Sequence, residues 1–208
     1  MMLEPAVTLT DFIVAFECAA VAWCLRTAPA GQMRTAFFLM FGGIGVGALA
    51  GGLVHGFFPE GETQQNLWLV VLASLGVMAL AGWSIGALLL LRPKWAAVAQ
   101  RAALAELVFY CWYISREDTP FSAALLNYLP ATMFMLVGYI VFYRRQPAPP
   151  VLLGIAGLLL TFLGALLQSL KIGIHPTYFD HNALFHVVQF IAIYLIFLSA
   201  KHFLRSEE

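Results

Sequence analysis

The chain has 208 residues, of which 62% are hydrophobic and only 11% are charged, and its formal net charge is zero. A soluble domain of this length could not bury so much apolar surface, so the composition excludes an ordinary soluble protein and predicts an integral membrane protein. The balanced charge and the lack of a basic tract also argue against nucleic acid as a partner.

The apolar residues form seven stretches, each near the length of about 20 residues that a helix needs to cross the hydrocarbon core of a bilayer. Short breaks that contain proline, glycine or charged residues separate them. No basic region precedes the first stretch, so we expect a retained helix and not a cleaved signal peptide. The sequence predicts an all-α protein, a single domain over 1–208 with seven transmembrane helices at about 8–25, 35–58, 66–91, 95–114, 122–143, 151–173 and 182–204.

The charged residues near the ends of these spans predict the orientation. Basic residues collect on one side, at Arg26, Arg34, Arg92, Lys94, Arg144, Arg145, Lys201 and Arg205. The connections on the other side carry the acidic residues Glu4, Glu60, Glu62, Glu117, Asp118 and Asp180. Because cytoplasmic connections are enriched in lysine and arginine, we expect the N-terminus outside and the C-terminus in the cytoplasm. The small size and short connections suggest a bacterial inner membrane.

Ionisable side chains inside membrane spans usually face the protein interior and often mark function. In chain order they are Asp11, Glu17, His55, Arg101, Glu106, Lys171 and His186. Most lie in the outer halves of the spans, as does Asn66, so a cavity open to the outside or to the outer leaflet would collect them. For Glu17 and Glu106 the alternative is hydrogen bonding between helices. For Lys171 the alternative is snorkelling towards the outer surface.

The second span carries a stripe of small residues that leads to a histidine. Gly43, Gly47, Gly51 and His55 recur every four residues, so they share one face of the helix. Small residues at this spacing let a neighbouring helix approach closely. We therefore expect His55 to face protein, at the outer end of the span.

The seventh span begins with two histidines at the same predicted level as His55. His181 and His186 are five residues apart, which is about 140° around a regular helix, so they do not point to one ion from an ideal helix. Asn182 shares a face with His186. His181 could still join His186 if it lies in a turn before the helix, and His175 in the preceding loop is another possible ligand.

These positions resemble the CREST superfamily of seven-helix membrane proteins, which includes the alkaline ceramidases, the adiponectin- and progestin-receptor family and the hemolysin III-like proteins. The family pattern is Ser-x-x-x-His at the end of span two, Asp at the start of span three and His-x-x-x-His at the start of span seven. His55 and His186 match this pattern. Gly51, Asn66 and Asn182 stand where the serine, the aspartate and the first histidine are expected.

The resemblance implies a zinc ion held by three histidines, here His55, His186 and either His181 or His175. Such a site activates a water molecule as the nucleophile. Hydrolysis of a lipid amide or ester also needs a proton-transfer group, for which Glu17 and Glu106 are the candidates. Lys171 or Asn66 would polarise the scissile carbonyl.

The resulting hypothesis is a zinc-dependent hydrolase of a lipid amide or ester that acts from the outer-leaflet side. The alternative is a non-catalytic lipid-binding or sensor protein with a degenerate metal site, and the missing serine and aspartate favour it. A haem bound by histidines of spans two and seven is a third hypothesis.

Overall fold

The computed structural model describes residues 2–116, 119, 121–176 and 178–205. Within these residues the protein is all-α, apart from an isolated bridge between His175 and Phe179. Its helices are α1 (Pro5–Leu25), α2 (Gln32–Phe57), α3 (Glu62–Leu90), α4 (Pro93–Ile114), α5 (Phe121–Arg145), α6 (Pro149–Ser169) and α7 (His181–Arg205). The predicted all-helical fold with seven helices is confirmed. Glu117 and Asp118, which contributed to the predicted orientation, lie outside the described residues.

Helix boundaries differ from the predicted spans for two local reasons. Pro5, Pro93 and Pro149 begin their helices, although Pro93 and Pro149 were predicted to lie in the breaks between spans. Proline suits the first helical position because the N–H group it lacks would have no partner there. The other difference is at α6, which ends at Ser169 and not near residue 173. Lys171 adopts a left-handed conformation with φ 55°, which stops the helix.

Six of these helices are long and apolar enough to cross a membrane, as in an integral membrane protein, and α4 is not among them. The sequence of α4 includes Lys94, Arg101 and Glu106, which lower its mean hydropathy below that of its neighbours. The span predicted at 95–114 therefore forms a helix, but its membrane crossing stays a prediction.

The six apolar helices form a closed ring, and α4 lies outside it. Contacts run from α1 to α2, α3, α5, α6 and α7 in turn, and α7 closes the ring on α1. The α5–α6 contact is the sparsest of these, whereas α4 packs mainly against α3. Small residues allow close packing: a Cβ on Gly82 would lie 3.2 Å from the backbone of Ala131. The interior of the ring is therefore lined by every helix except α4.

The two ends of the ring differ in what they bury. One end, here called the basic end, carries Arg26, Arg92 and Arg145 at helix termini. Beside it lies an aromatic core of Phe37, Phe41, Tyr139, Phe142 and Phe203, whose neighbouring ring centroids are 5.1–6.4 Å apart. The opposite end, here called the histidine end, contains His55 and the start of α7.

The N-terminal segment is bound to the end of α2 at the histidine end. The backbone N–H groups of Leu3 and Glu4 donate to the carbonyls of Gly56 and His55, both at 3.3 Å. These bonds hold Glu4 next to His55 and fix where α1 begins.

Candidate functional site

A cavity of about 150 Å³ lies inside the ring, towards the histidine end. All six ring helices contribute to its wall. Its polar lining comes mainly from Asp11, His55, Ser74, Gln168, Asn182, His186 and Gln189. Its apolar lining includes Ile44, Val71, Leu75, Met78, Leu125 and Phe185. The stripe of Gly43, Gly47, Gly51 and His55 faces this cavity, which is the protein interior expected for it.

The first helix and the residue before it supply a carboxyl group to each of two histidines. The Glu4 carboxylate oxygen Oε2 lies 2.7 Å from His55 Nδ1, and Asp11 Oδ1 lies 3.1 Å from His186 Nε2. The side chains of Glu4 and His55 are 52% and 25% exposed, whereas those of Asp11 and His186 are 4% and 12% exposed. The site therefore has one carboxylate–histidine pair at its rim and a second, buried pair against the cavity.

Both ring nitrogens of His186 are engaged by α1. Nδ1 lies 3.2 Å from the Thr10 hydroxyl, and Nε2 faces Asp11. The same hydroxyl is 2.9 Å from the carbonyl oxygens of Ala6 and Val7. When it donates its single hydrogen to the backbone, its oxygen accepts from Nδ1–H. One proton then lies between Nε2 and Asp11, so α1 determines both the orientation and the tautomer of His186.

The second oxygen of Asp11 is unsatisfied. Asp11 is 3% exposed, and its Oδ2 has no hydrogen-bond partner in the structure. Gly51 of α2 lies opposite, and a Cβ there would sit 3.3 Å from Oδ2. Gly51 stands where the CREST pattern has serine, so the hydroxyl that such a serine would present is absent beside this acceptor. Asp11 and Gly51 both line the cavity, so Oδ2 lies next to it.

Two amides form the wall between α6 and α7. Gln168 Nε2 donates to Asn182 Oδ1 at 3.1 Å, and both side chains line the cavity. Asn182 is thus on the same wall as His186, as the helical spacing predicts. Its amide oxygen is already used by Gln168.

The predicted metal ligands are only partly brought together. His55 and His186 line one cavity, but His181 is the first residue of α7 and does not line it. Asp180 caps α7, since its Oδ1 accepts from the N–H groups of Asn182 and Ala183 at 3.0 and 2.9 Å. His175 lies in the loop, where its Nδ1 accepts from the Tyr178 N–H at 3.1 Å.

A three-histidine ligand set is therefore not assembled here. Among the described residues, no three histidine, cysteine, aspartate or glutamate side chains lie close enough together to hold a metal ion. The arrangement as it stands does not fit the coordination that the CREST resemblance implies. The zinc ion stays a prediction.

None of the four predicted catalytic side chains lines the cavity. Asn66 is exposed on α3, and Lys171 is exposed beyond α6. Glu106 lies on α4, outside the ring, and its side chain is hydrogen-bonded to Trp83. Glu17 is buried on α1 without hydrogen-bond partners for its carboxyl oxygens. It follows Thr10 by seven residues and so shares the α7-facing side of α1 with Thr10.

Sequence reasoning missed the side chains that α1 contributes to the candidate site. Asp11 was recognised as an ionisable residue within a span, but it was not assigned to the site, and Thr10 was not considered. A usable signal exists in the spacing, because Glu4 and Asp11 are seven residues apart and so lie on one face, about two turns from each other. Two carboxyl groups on one face, at the level of two histidines, predict the pairs Glu4–His55 and Asp11–His186.

Comparison with known proteins adds a family assignment for nearly the whole chain. A family model matches residues 6–205, and its description is "family of unknown function (DUF6962)". Among curated proteins, no sequence matches this chain significantly.

Proposed function

Starting from the fact that this chain belongs to DUF6962, a family of unknown function, we propose that it binds an amphiphilic small molecule in its central cavity. In this proposal the protein is a non-catalytic binding or sensor protein of the membrane. The observation that carries it is the polarity gradient of the cavity. Ligand sites are typically concave and mostly apolar, with a few convergent polar groups that orient the ligand.

The gradient runs from the histidine end inwards. Asp11, His186 and the Gln168–Asn182 pair lie at one end of the lining, and Met78 and Ile44 lie towards the other. A second cavity of about 30 Å³ shares the lining residues Ile44, Met78, Tyr128, Thr161 and Gln189. It continues among the apolar side chains of Met135, Leu158, Ile193 and Ile196, with Thr132 as a polar residue of the same lining. A polar head at Asp11 with an apolar tail directed inwards matches this arrangement.

The volume limits how much of the molecule is enclosed. A cavity of about 150 Å³ is the size that accommodates benzene in an engineered protein. The head and first carbons therefore fit, and a longer chain has to continue into the second cavity or between helices. The sparse α5–α6 contact offers such a passage, because Leu125 of α5 and Ala165 of α6 both line the cavity. We infer that the ligand reaches the site from the bilayer between α5 and α6.

The proposed topology keeps the predicted orientation, with the N-terminus outside and the C-terminus in the cytoplasm. The cavity then opens near the outer leaflet, and a bacterial inner membrane is the proposed location. Supporting this orientation, Arg26, Arg92 and Arg145 lie at the opposite end of the ring from His55.

The zinc-dependent hydrolase is the second hypothesis, and the geometry favours it less. The proposed ligand set lacks a third histidine at the cavity, and its four candidate catalytic residues lie elsewhere. About one zinc per purified chain, lost in both His55→Ala and His186→Ala, would restore this hypothesis and direct the search to lipid amides and esters.

The test of ligand binding is a pair of phenylalanine substitutions on adjacent residues of α6. Ala165 lines the cavity, whereas Leu166 is 54% exposed and does not line it. With the protein in nanodiscs, decan-1-ol should raise the melting temperature of the wild type and of Leu166→Phe. Ala165→Phe should lose this shift, because its ring occupies the cavity. Equal shifts in all three proteins would mean that decan-1-ol acts on the bilayer and would contradict the proposal.

A further inference from the structure

We propose that the head of the ligand is an aliphatic amine that donates a hydrogen bond to Asp11 Oδ2. This inference rests on the proposed function and specifies the chemical class that the cavity selects. It starts from a buried acceptor, because Asp11 is only 3% exposed and its Oδ2 has no hydrogen-bond partner. A buried carboxylate oxygen without a donor is unfavourable, so a ligand that brings one gains affinity.

The other polar groups of the lining leave this acceptor without a donor. The Gln168 amide donates to Asn182, and Asp11 Oδ1 is already used by His186. On the opposite wall, Ser74 donates its hydroxyl to the Val70 carbonyl at 2.8 Å. Gly51, which faces Oδ2, has no side chain to supply a hydrogen. Asp11 Oδ2 is therefore an unused acceptor, and a ligand that matches it has to supply a hydrogen-bond donor.

Charge further restricts the head group. No lysine or arginine lines the cavity within the part of the chain that the structure describes. Besides Tyr128, the ionisable groups of the lining are Asp11 and the two histidines, with Glu4 at the rim beside His55. A carboxylate or phosphate head would meet the Asp11 carboxyl with no permanent cation to compensate it. An aliphatic amine is protonated at neutral pH, as lysine is, so its N–H groups are strong donors for Oδ2.

Four ten-carbon amphiphiles separate the contributions of charge and hydrogen bonding. Decylamine carries both a positive charge and N–H donors, decan-1-ol has a neutral donor, decyltrimethylammonium has the charge alone, and decanoate is an anion. Affinities would be measured by calorimetry on the full-length protein in nanodiscs, with Ala165→Phe as the reference for partitioning into the bilayer. We expect decylamine to bind most tightly, followed by decan-1-ol, with decanoate weakest.

Position 51 offers a matched pair of substitutions that isolates the hydrogen bond. Gly51→Ala and Gly51→Ser introduce the same Cβ, but only the serine hydroxyl can donate to Asp11 Oδ2. Gly51→Ser should therefore bind decylamine about tenfold more weakly than Gly51→Ala, which is the effect of one hydrogen bond to a charged group. In Asp11→Asn, decylamine should lose its advantage over decan-1-ol, and retained decan-1-ol binding shows that the variant is folded.

The outcomes distinguish the two proposals. Decanoate binding as tightly as decylamine, or equal effects of serine and alanine at position 51, would overturn the amine head while leaving the amphiphile site intact. If none of the four compounds binds the wild type better than Ala165→Phe, the proposed function itself fails. Binding of decylamine that does not depend on Asp11 would mean that water satisfies Oδ2, and this also overturns the inference.

Discussion

The aromatic core at the basic end and the cavity at the histidine end differ in whether their buried polar groups have hydrogen-bond partners. In the aromatic core, the Tyr139 hydroxyl is 2.9 Å from the Ser199 hydroxyl, which in turn donates to the Ile196 carbonyl at 2.7 Å. At the cavity, Asp11 Oδ2 has no partner. Neither cavity is lined by Phe37, Phe41 or Phe203.

This difference indicates a division of roles within one ring of helices. Close packing and satisfied polar groups contribute stability, because in a membrane the association of helices depends on packing and hydrogen bonds. An unsatisfied carboxyl beside a cavity contributes neither close packing nor a hydrogen bond. Departures from close packing and from satisfied hydrogen bonding are found mainly at functional sites. We therefore assign stability chiefly to the basic end, and the proposed ligand site lies at the histidine end.

The largest expected effect is the loss of packing in the aromatic core. Phe37 is fully buried and its ring stacks near those of Phe41 and Phe203. Phe37→Ala should lower the free energy of unfolding by about 3 kcal/mol or more, because it removes these contacts and leaves a void. The measurement is chemical unfolding in detergent micelles. Phe16→Ala, at a side chain that is 77% exposed, is the matched control and should change stability little. Similar losses in both variants would contradict the assigned roles.

A smaller effect is expected from overfilling the packed region. A Cβ on Gly154 of α6 would lie 2.6 Å from Ser199 Oγ and would also collide with the Tyr139 ring, which is fully buried. Gly154→Ala should destabilise the protein by about 2 kcal/mol, since the neighbours have no room to move. Gly42→Ala is the control, because nothing lies within 4 Å of its Cβ. Thermal unfolding of both variants beside the wild type checks this, and an unchanged Gly154→Ala would mean that the region is loosely packed.

The smallest expected effect lies at the end of α6. The N–H groups of Lys171 and Ile172 donate to the carbonyls of Gln168 and Leu167 at 3.1 and 2.9 Å, a Schellman ending with Lys171 at its left-handed position. Glycine adopts this conformation without the steric cost of a Cβ. Lys171→Gly should therefore raise the free energy of unfolding by about 0.5–1 kcal/mol. Lys171→Ala keeps the Cβ and should show no such gain. A destabilised Lys171→Gly would point instead to a contact of the lysine amine.

Much of the fold could be predicted from sequence because hydropathy is a local property. The seven helices follow the seven apolar stretches, and most of their ends lie within a few residues of the predicted limits. The errors have local causes too, since Pro93 and Pro149 can begin a helix as readily as they end a span. The position of α4 outside the ring is different. Its charged residues are visible in the sequence, but only the tertiary contacts show that α3 packs against α5 and that α4 lies outside the ring.

The sequence predicted at which level along the helices the site residues lie, but not towards which neighbours their side chains point. His55, Asn182 and His186 line the cavity, and their level along the helices followed from the topology and spacing. Glu17, Glu106, Asn66 and Lys171 were selected by similar reasoning about depth, yet they do not reach it. Their rotation about the helix axes depends on which neighbours each helix contacts, and hydropathy does not predict these neighbours.

By itself, then, the sequence determined the number of helices, their approximate limits and the concentration of polar residues at one end, because these depend on composition along the chain. The tertiary structure alone decided that α1 brings Asp11 and Thr10 to His186, and that Gly51 leaves Asp11 Oδ2 without a donor. These contacts join residues that are 176 positions apart in the case of Thr10 and His186. Contacts of this kind depend on how α1, α2 and α7 pack in the closed ring, where side chains from distant parts of the chain share one interior.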